Sequence, residues 1–249
     1  MISRIFNSIT FKIKRIIDHI KSVSRWFELM KVSHKIGVIY SLDLLKYFSF
    51  DLGQYNSLKN SKPLDFEGNP LPWFTYSSIE FLKQLDLKNK IVFEFGSGMS
   101  SLWWSNHAKK VISVEDNQIW FSLIQSKMHQ NNILCLETSM KSYSEKIRSF
   151  DNLFDIIVID GNHRLECAKN AVDKLSKGGM IILDNSDWFG NTGFFLKNNG
   201  FKQMDFIGPG PINRYSWSTS IFFKGDFSFD SLNKFQPKNL SWGISDNLD

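Results

Sequence analysis

Five short apolar runs, at residues 91–95, 111–114, 133–136, 156–159 and 180–183, begin 20, 22, 23 and 24 residues apart. No other feature restricts the fold of this chain so tightly. The runs are rich in Val, Ile and Leu without polar alternation, the pattern of strands covered on both faces. Most are separated by stretches of helical period, such as 119–128 and 164–175. Strand–helix–strand at this spacing predicts right-handed crossover units and an open, mostly parallel sheet. After Asn185 the rhythm changes to a helix over 190–198, a strand over 201–207, a Gly/Pro loop over 208–211 and a last strand over 217–223. Two strands with no helix between them predict an antiparallel hairpin at one edge of the sheet. The fold class is α/β.

The 249 residues suit one domain with an appendage, and 42% hydrophobic residues exclude wholesale disorder. A formal charge of +5 suggests a nucleic-acid partner until it is placed along the chain. Residues 1–36 hold eight Lys and Arg against Asp18 and Glu28, a net +6, which leaves the other 213 residues at −1. The body is neutral, so no nucleic-acid partner is expected. The arm carries Ile2, Phe6, Ile9, Ile13, Ile16, Ile20, Val23, Phe27 and Met30 at alternating spacings of four and three, one apolar seam on a helix. Through residues 2–30 this helix packs on its own domain, pairs with a second copy, or lies on an anionic membrane surface. The expected organisation is an amphipathic helical arm (1–50), a loop with a lead-in helix (51–88), a catalytic body (89–224) and a tail (225–249). Ser77 and Glu80 have capping-box spacing for the lead-in helix. Cys135 and Cys167 stand apart from any Cys/His cluster, which points to a reducing compartment without zinc. With no membrane span and no secretory signal, the expected location is cytoplasmic, with peripheral contact at the inner membrane surface as the arm's further option.

Open parallel sheets bind ligands beyond the carboxyl ends of their strands. The first strand runs through Glu94 into Gly96-Ser97-Gly98, where glycines let the backbone approach a ligand and helix N–H groups point at it. Ser101 stands where a dinucleotide fingerprint has its third glycine, which favours a smaller charged ligand than a pyrophosphate. Glu115 ends the second strand about 20 residues on, the place of an acid that accepts ribose hydroxyls; its alternative is a helix-start acid. Asp160 ends the fourth strand, and Asp184-Asn185 the fifth. Side by side, these three offer an oxygen half-shell for a hard cation such as Mg²⁺, or they serve Asx turns and caps. His163, three residues past Asp160, has the intrinsic pKa of a general base, or simply starts a helix. Trp73, Tyr76, Arg214, Tyr215 and Trp217 are candidates to line an acceptor pocket.

In this order of motifs the chain resembles the class I S-adenosylmethionine-dependent methyltransferases over about residues 72–223. Within that class, Ile159-Asp160-Gly161-Asn162-His163 with Gly178-Gly179 and Asp184-Asn185 looks like the divalent-metal-dependent O-methyltransferases. The resemblance implies a Rossmann-like seven-stranded sheet with helices on both faces and a terminal antiparallel strand. It implies that Glu94, Gly96, Ser97 and Gly98 hold the methionine part of S-adenosyl-L-methionine and Glu115 its ribose. Residues 137–143, with Ser139, take the adenine stretch. By that likeness Asp160, Asp184 and Asn185 would hold a divalent metal, and Asp160 with His163, read from its own pKa and place, are the catalytic candidates. The implied reaction is O-methylation of a hydroxylated small molecule or a glycan. Amino-directed methylases of the same fold carry an Asn/Asp-Pro-Pro-aromatic motif where this chain has Asp160-Gly161-Asn162-His163. The non-enzymatic alternative is a membrane-associated or oligomeric binding protein that keeps the fold.

Overall fold

The computed structural model describes Glu28, Lys31 and residues 37–233. The apolar seam of the arm and the tail from 234 lie outside the described residues, apart from the exposed Lys31–Glu28 ion pair at 3.2 Å. The chain divides into two compact units, 1–48 and 49–249. In the first, the helix Val38–Lys46 exposes Leu42, Leu44 and Leu45. It gives way to a π-helical turn, Tyr47–Asp51. No helix among the described residues is long and apolar enough to cross a membrane.

The second unit is built on seven strands: β1 (Ile91–Phe95), β2 (Lys110–Glu115), β3 (Asn132–Leu136), β4 (Phe154–Ile159), β5 (Leu175–Leu183), β6 (Lys202–Gly208) and β7 (Trp217–Phe223). Their order across the sheet is β3-β2-β1-β4-β5-β7-β6. The first five are parallel; β7 runs antiparallel to β5, and β6 antiparallel to β7. The expected α/β, mostly parallel seven-stranded sheet with a terminal antiparallel strand is therefore present. Both faces of its centre are covered: Ile156 and Ile157 are each fully buried, as are Ile181 and Ile182. Burying a side chain of this size stabilises by about 1.5–3 kcal/mol, and polar residues on either face would forfeit that. Phe93 packs along the sheet, its ring 4.9 Å from Phe95 and 5.1 Å from Phe154.

Register, more than composition, places the polar residues at the strand ends. Phe95 pairs with Val114 on one side and Ile159 on the other, and Ile159 pairs with Leu183. One residue further along each strand, Gly96, Glu115, Asp160 and Asp184 stand in one row at the carboxyl edge.

The lead-in segment differs from its predicted form in two ways. Residues 54–60 form a helix, Gln54–Asn60, inside what reads as a loop; only Ser57 in it is buried, so no apolar period announces it. It is pinned by Ser57, whose Oγ donates to Leu64 O at 2.8 Å and accepts from Leu64 N at 3.0 Å. The lead-in helix, Tyr76–Leu82, starts after Thr75 and not through a Ser77/Glu80 box. Thr75 N donates to Thr219 Oγ1 at 3.0 Å, while Glu80 turns outward to Lys83 at 2.9 Å. Tertiary anchoring to β7 fixes this helix start, a constraint that local spacing does not contain.

Candidate functional site

The turn after β1 is shaped by one close approach. Gly96 adopts φ 98°, and a Cβ there would meet the backbone of Gly161 at 3.1 Å. A Cβ on Gly161 would overlap Tyr143 Oη and meet Gly96 N at 2.9 Å. The loops after β1 and β4 thus touch backbone to backbone, which admits no side chain at either position. Gly98 differs: it is extended at φ 168°, and a Cβ there would find only the Trp120 ring at 3.8 Å.

Beneath this turn lies Glu94, 1% exposed. Its Oε2 accepts hydrogen bonds from Ser113 Oγ at 2.9 Å and from Ser101 Oγ. Ser101 Oγ in turn accepts from Gly98 N at 3.0 Å. The serine that breaks the dinucleotide fingerprint therefore ties the acid to the turn. Glu94 Oε1 is buried with no hydrogen-bond partner among the described residues. Burial pushes its carboxyl up from an ordinary 4.5 to about 7, with the hydroxyls of Ser100, Ser101 and Ser113 offsetting part of the effect.

Glu115 closes the same turn from β2. One oxygen accepts from Ser97 N at 3.1 Å and Ser97 Oγ at 2.7 Å; the other accepts from Asp116 N at 3.2 Å and Asn117 N at 3.0 Å. All of its roughly four acceptor positions are engaged, so a ligand hydroxyl must share or displace that of Ser97. Trp120 Nε1 donates to Ser97 O at 2.6 Å, laying an indole over the turn.

At the ends of β4 and β5 the centre is an arginine that sequence reasoning missed. Arg164 is buried, opens the helix Arg164–Ala171, and donates from Nε to Gly161 O at 3.0 Å. Its Nη2 donates to Asp160 O at 2.9 Å and Asp160 Oδ1 at 3.2 Å, and its Nη1 donates to Asp184 O. The guanidinium also lies 4.2 Å from the Phe189 ring centroid. Asp160 is pushed up to about 7 by burial, against the pull of Arg164. Asp184 is raised well above the carboxylate range by burial and by Asp160. The available signal was the four-residue spacing of Asp160 and Arg164 at a helix start.

Asp160, Asp184 and Asn185, the expected metal half-shell, line one cavity, but Asp160 Oδ1 is engaged by Arg164 and Asp184 by donors from β7. Asp184 Oδ1 is turned into the sheet, accepting from Trp217 Nε1 at 3.0 Å and from Thr219 Oγ1 at 2.5 Å. The fixed positive charge at this place is Arg164, which bridges Asp160 and Asp184. Among the described residues no group of three or more His, Cys, Asp or Glu is placed to hold a metal ion. With one oxygen of each aspartate already engaged, nothing in this donor set points to a divalent cation.

The strand ends open into a cavity of about 650 Å³, lined by Glu94, Gly96, Ser97, Glu115, Asp160, Asp184 and Asn185 among others. The structure brings those predicted residues together. His163 is not with them: it is exposed, adopts φ 55°, and lines a neighbouring cavity of about 490 Å³. Ser139 is also apart, its Oγ accepting from Ser142 N at 3.1 Å as the cap of the helix Met140–Glu145. Of the aromatic candidates, Trp73 and Tyr215 line the larger cavity. Tyr76 and Trp217 are buried, and Tyr76 Oη donates to Gln54 Oε1 at 2.8 Å. Arg214 is exposed and lines neither cavity. Tyr143, the last residue of the 137–143 stretch, does line the larger cavity.

No protein-family model matches the chain, and no curated protein matches it in sequence. Similar solved structures include a precorrin-6y C5,15-methyltransferase from Geobacter metallireducens, at 15% identity and TM-score 0.48, covering 59% of this chain and 88% of that one. A precorrin-8w decarboxylase from Methanobacterium thermoautotrophicum is 18% identical with TM-score 0.44, covering 67% of this chain and 97% of its own. A ribosomal protein L11 methylase from Lactobacillus delbrueckii subsp. bulgaricus is 14% identical with TM-score 0.45, covering 59% and 77%.

Proposed function

We propose that this chain transfers a methyl group from S-adenosyl-L-methionine to a hydroxyl of a small-molecule or glycan acceptor. The observation that carries the reading is the buried, unpartnered Glu94 Oε1 beneath the 96–98 turn, in the lining of the cavity that Glu115 and Asp160 share. A buried carboxylate oxygen without a donor is costly, by about 1–3 kcal/mol or more, and an ammonium group supplies the donor it lacks. Glu94 would hold the amino group of the cofactor's methionine, the backbone of residues 96–98 its carboxylate, and Glu115 its ribose through exchange with Ser97. When bound, the cofactor supplies a sulfonium methyl, already a good electrophile.

The chain's own residues then do two things. They orient an acceptor hydroxyl towards that methyl, and they take its proton. Asp160 suits the second task, since a carboxyl held near neutral pH accepts a proton readily at working pH. Arg164 fixes the Asp160 carboxylate from Nη2 and keeps it at the cavity wall. His163 has no part in this scheme, because it lines the other cavity.

Isothermal calorimetry with S-adenosylhomocysteine tests the reading. Binding to the unsubstituted chain is expected, together with a loss of at least about tenfold in Glu94→Gln, which removes the charge opposite an ammonium. Absence of binding to the unsubstituted chain refutes the methyl-transfer proposal.

A further inference from the structure

The acceptor end of the large cavity is the part that the cofactor residues do not claim. It is formed by Trp73, Trp188 and Tyr215 with Asn185 and Asn213. Its charges are already spent. Among the described residues lining the cavity, Arg164 is the only basic one, and its N–H groups go to Gly161 O, Asp160 and Asp184 O. Asp160 is balanced by that guanidinium, and Asp184 Oδ1 is taken by Trp217 and Thr219. This end therefore presents no spare cation for a phosphate or carboxylate, and the remaining acid of the lining, Asp116, stands beyond β2 on the Glu115 side, bonded to Asn162 Nδ2 at 2.8 Å.

What remains is flat apolar surface and amides. Trp73, Trp188 and Tyr215 are 43%, 58% and 51% exposed, so each keeps ring surface open to a ligand. Trp188 and Tyr215 lie 6.0 Å apart at 36° between planes, a tilted pair at the rim. The side-chain amides of Asn185 and Asn213 make no hydrogen bond to protein among the described residues. Asn185 is held at φ 47°, and its carbonyl accepts from Trp188 N at 2.8 Å, so the amide and the indole belong to one rigid turn. Each amide offers a donor and an acceptor together, the complement of a hydroxyl that both donates and accepts.

From this juxtaposition we infer that the acceptor is an uncharged sugar ring, its C–H face laid on Trp188 and Tyr215 and its hydroxyls read by Asn185 and Asn213. A flat phenol would cover the aromatic rings, but its single hydroxyl pairs with one amide and leaves the other desolvated. A phosphorylated or amino sugar would bring a charge that this end does not balance. The inference deepens the methyl-transfer proposal and rests on it only for the ring's role as acceptor; the subsite itself is testable without cofactor.

The test is saturation-transfer NMR on the full chain with the methyl glycosides of glucose, galactose and mannose, and with glucose 6-phosphate, glucosamine and catechol as rivals. At least one neutral glycoside is expected to give ring C–H signals stronger than those of every rival. Those signals should fall at least about fivefold in Trp188→Ala and in Asn213→Ala, both changes at solvent-accessible positions. Signals from a charged sugar or catechol exceeding every neutral glycoside overturn the inference, as do signals unchanged in both variants or absent for every glycoside. The cofactor calorimetry separates the two claims. Binding of S-adenosylhomocysteine without any glycoside signal removes the sugar subsite and leaves methyl transfer standing. Glycoside binding without S-adenosylhomocysteine binding does the reverse.

Discussion

Replacing Glu94 by glutamine separates what this residue does for folding from what it does for binding. The carboxyl is fully enclosed and has a pKa of about 7 in the native chain against an ordinary 4.5, with burial as the main cause. Between those two values the native state keeps a proton that the unfolded state has released, so stability falls as pH rises. The contribution of the protonated acid is complete below about 4.5, declines through the interval, and is gone above about 7. A shift of that size corresponds to about 3 kcal/mol lost to this one group across the interval. Glutamine has the same shape, can still accept from Ser101 and Ser113, and does not titrate. Its buried NH₂ carries a desolvation penalty of about 1–3 kcal/mol at every pH, which cancels when two pH values are compared. Urea unfolding of both proteins at pH 4.5 and pH 8 is therefore expected to show Glu94→Gln gaining about 3 kcal/mol on the parent between the two conditions. Affinity for S-adenosylhomocysteine falls in the same variant. A stability difference that stays constant with pH, within about 0.5 kcal/mol, refutes the claim that burial holds this acid partly neutral.

Arg164→Met removes a buried guanidinium, leaves the half-buried Asp160 carboxylate and the carbonyls of Gly161 and Asp184 without their donor, and is expected to cost about 3–5 kcal/mol in urea unfolding at pH 8, an effect too large for a surface ion pair. Gly161→Ala drives a methyl group into Tyr143 Oη and is expected to lower the melting temperature and weaken S-adenosylhomocysteine binding at least about tenfold, whereas Gly98→Ala, with 3.8 Å of room, leaves the melting temperature near the parent's. Since Arg164 stands where a cation was expected, millimolar Mg²⁺ or EDTA is expected to leave the melting temperature unchanged; a rise with Mg²⁺ that Asp184→Asn abolishes would restore the metal site.

The apolar runs at 91, 111, 133, 156 and 180 required strands, because a run of Val and Ile with no polar alternation is satisfied only with both faces covered. From their spacing came the crossovers, and from the Gly/Pro loop at 208–211 the antiparallel ending. Glu94, Gly96, Glu115, Asp160 and Asp184 were legible as strand-end residues, since a regular sheet carries consecutive parallel strands to the same edge. The helix at 54–60 was not, because its reason for existing is the bond between Ser57 and Leu64 rather than a period of its own.

Which way those strand-end side chains turn was decided only by tertiary structure. Asp184 faces inward because Trp217 and Thr219, on a strand that runs in the opposite sense, supply its donors. His163 sits beside Asp160 in sequence, yet a left-handed backbone at the helix start carries it to the neighbouring cavity. Arg164, one residue further, turns inward and takes the place that three oxygen-bearing residues had marked for a metal. Spacing along a chain fixes which backbone positions share an edge. The direction of a buried polar side chain depends on where its partners lie, and here those partners come from strands and loops distant in sequence.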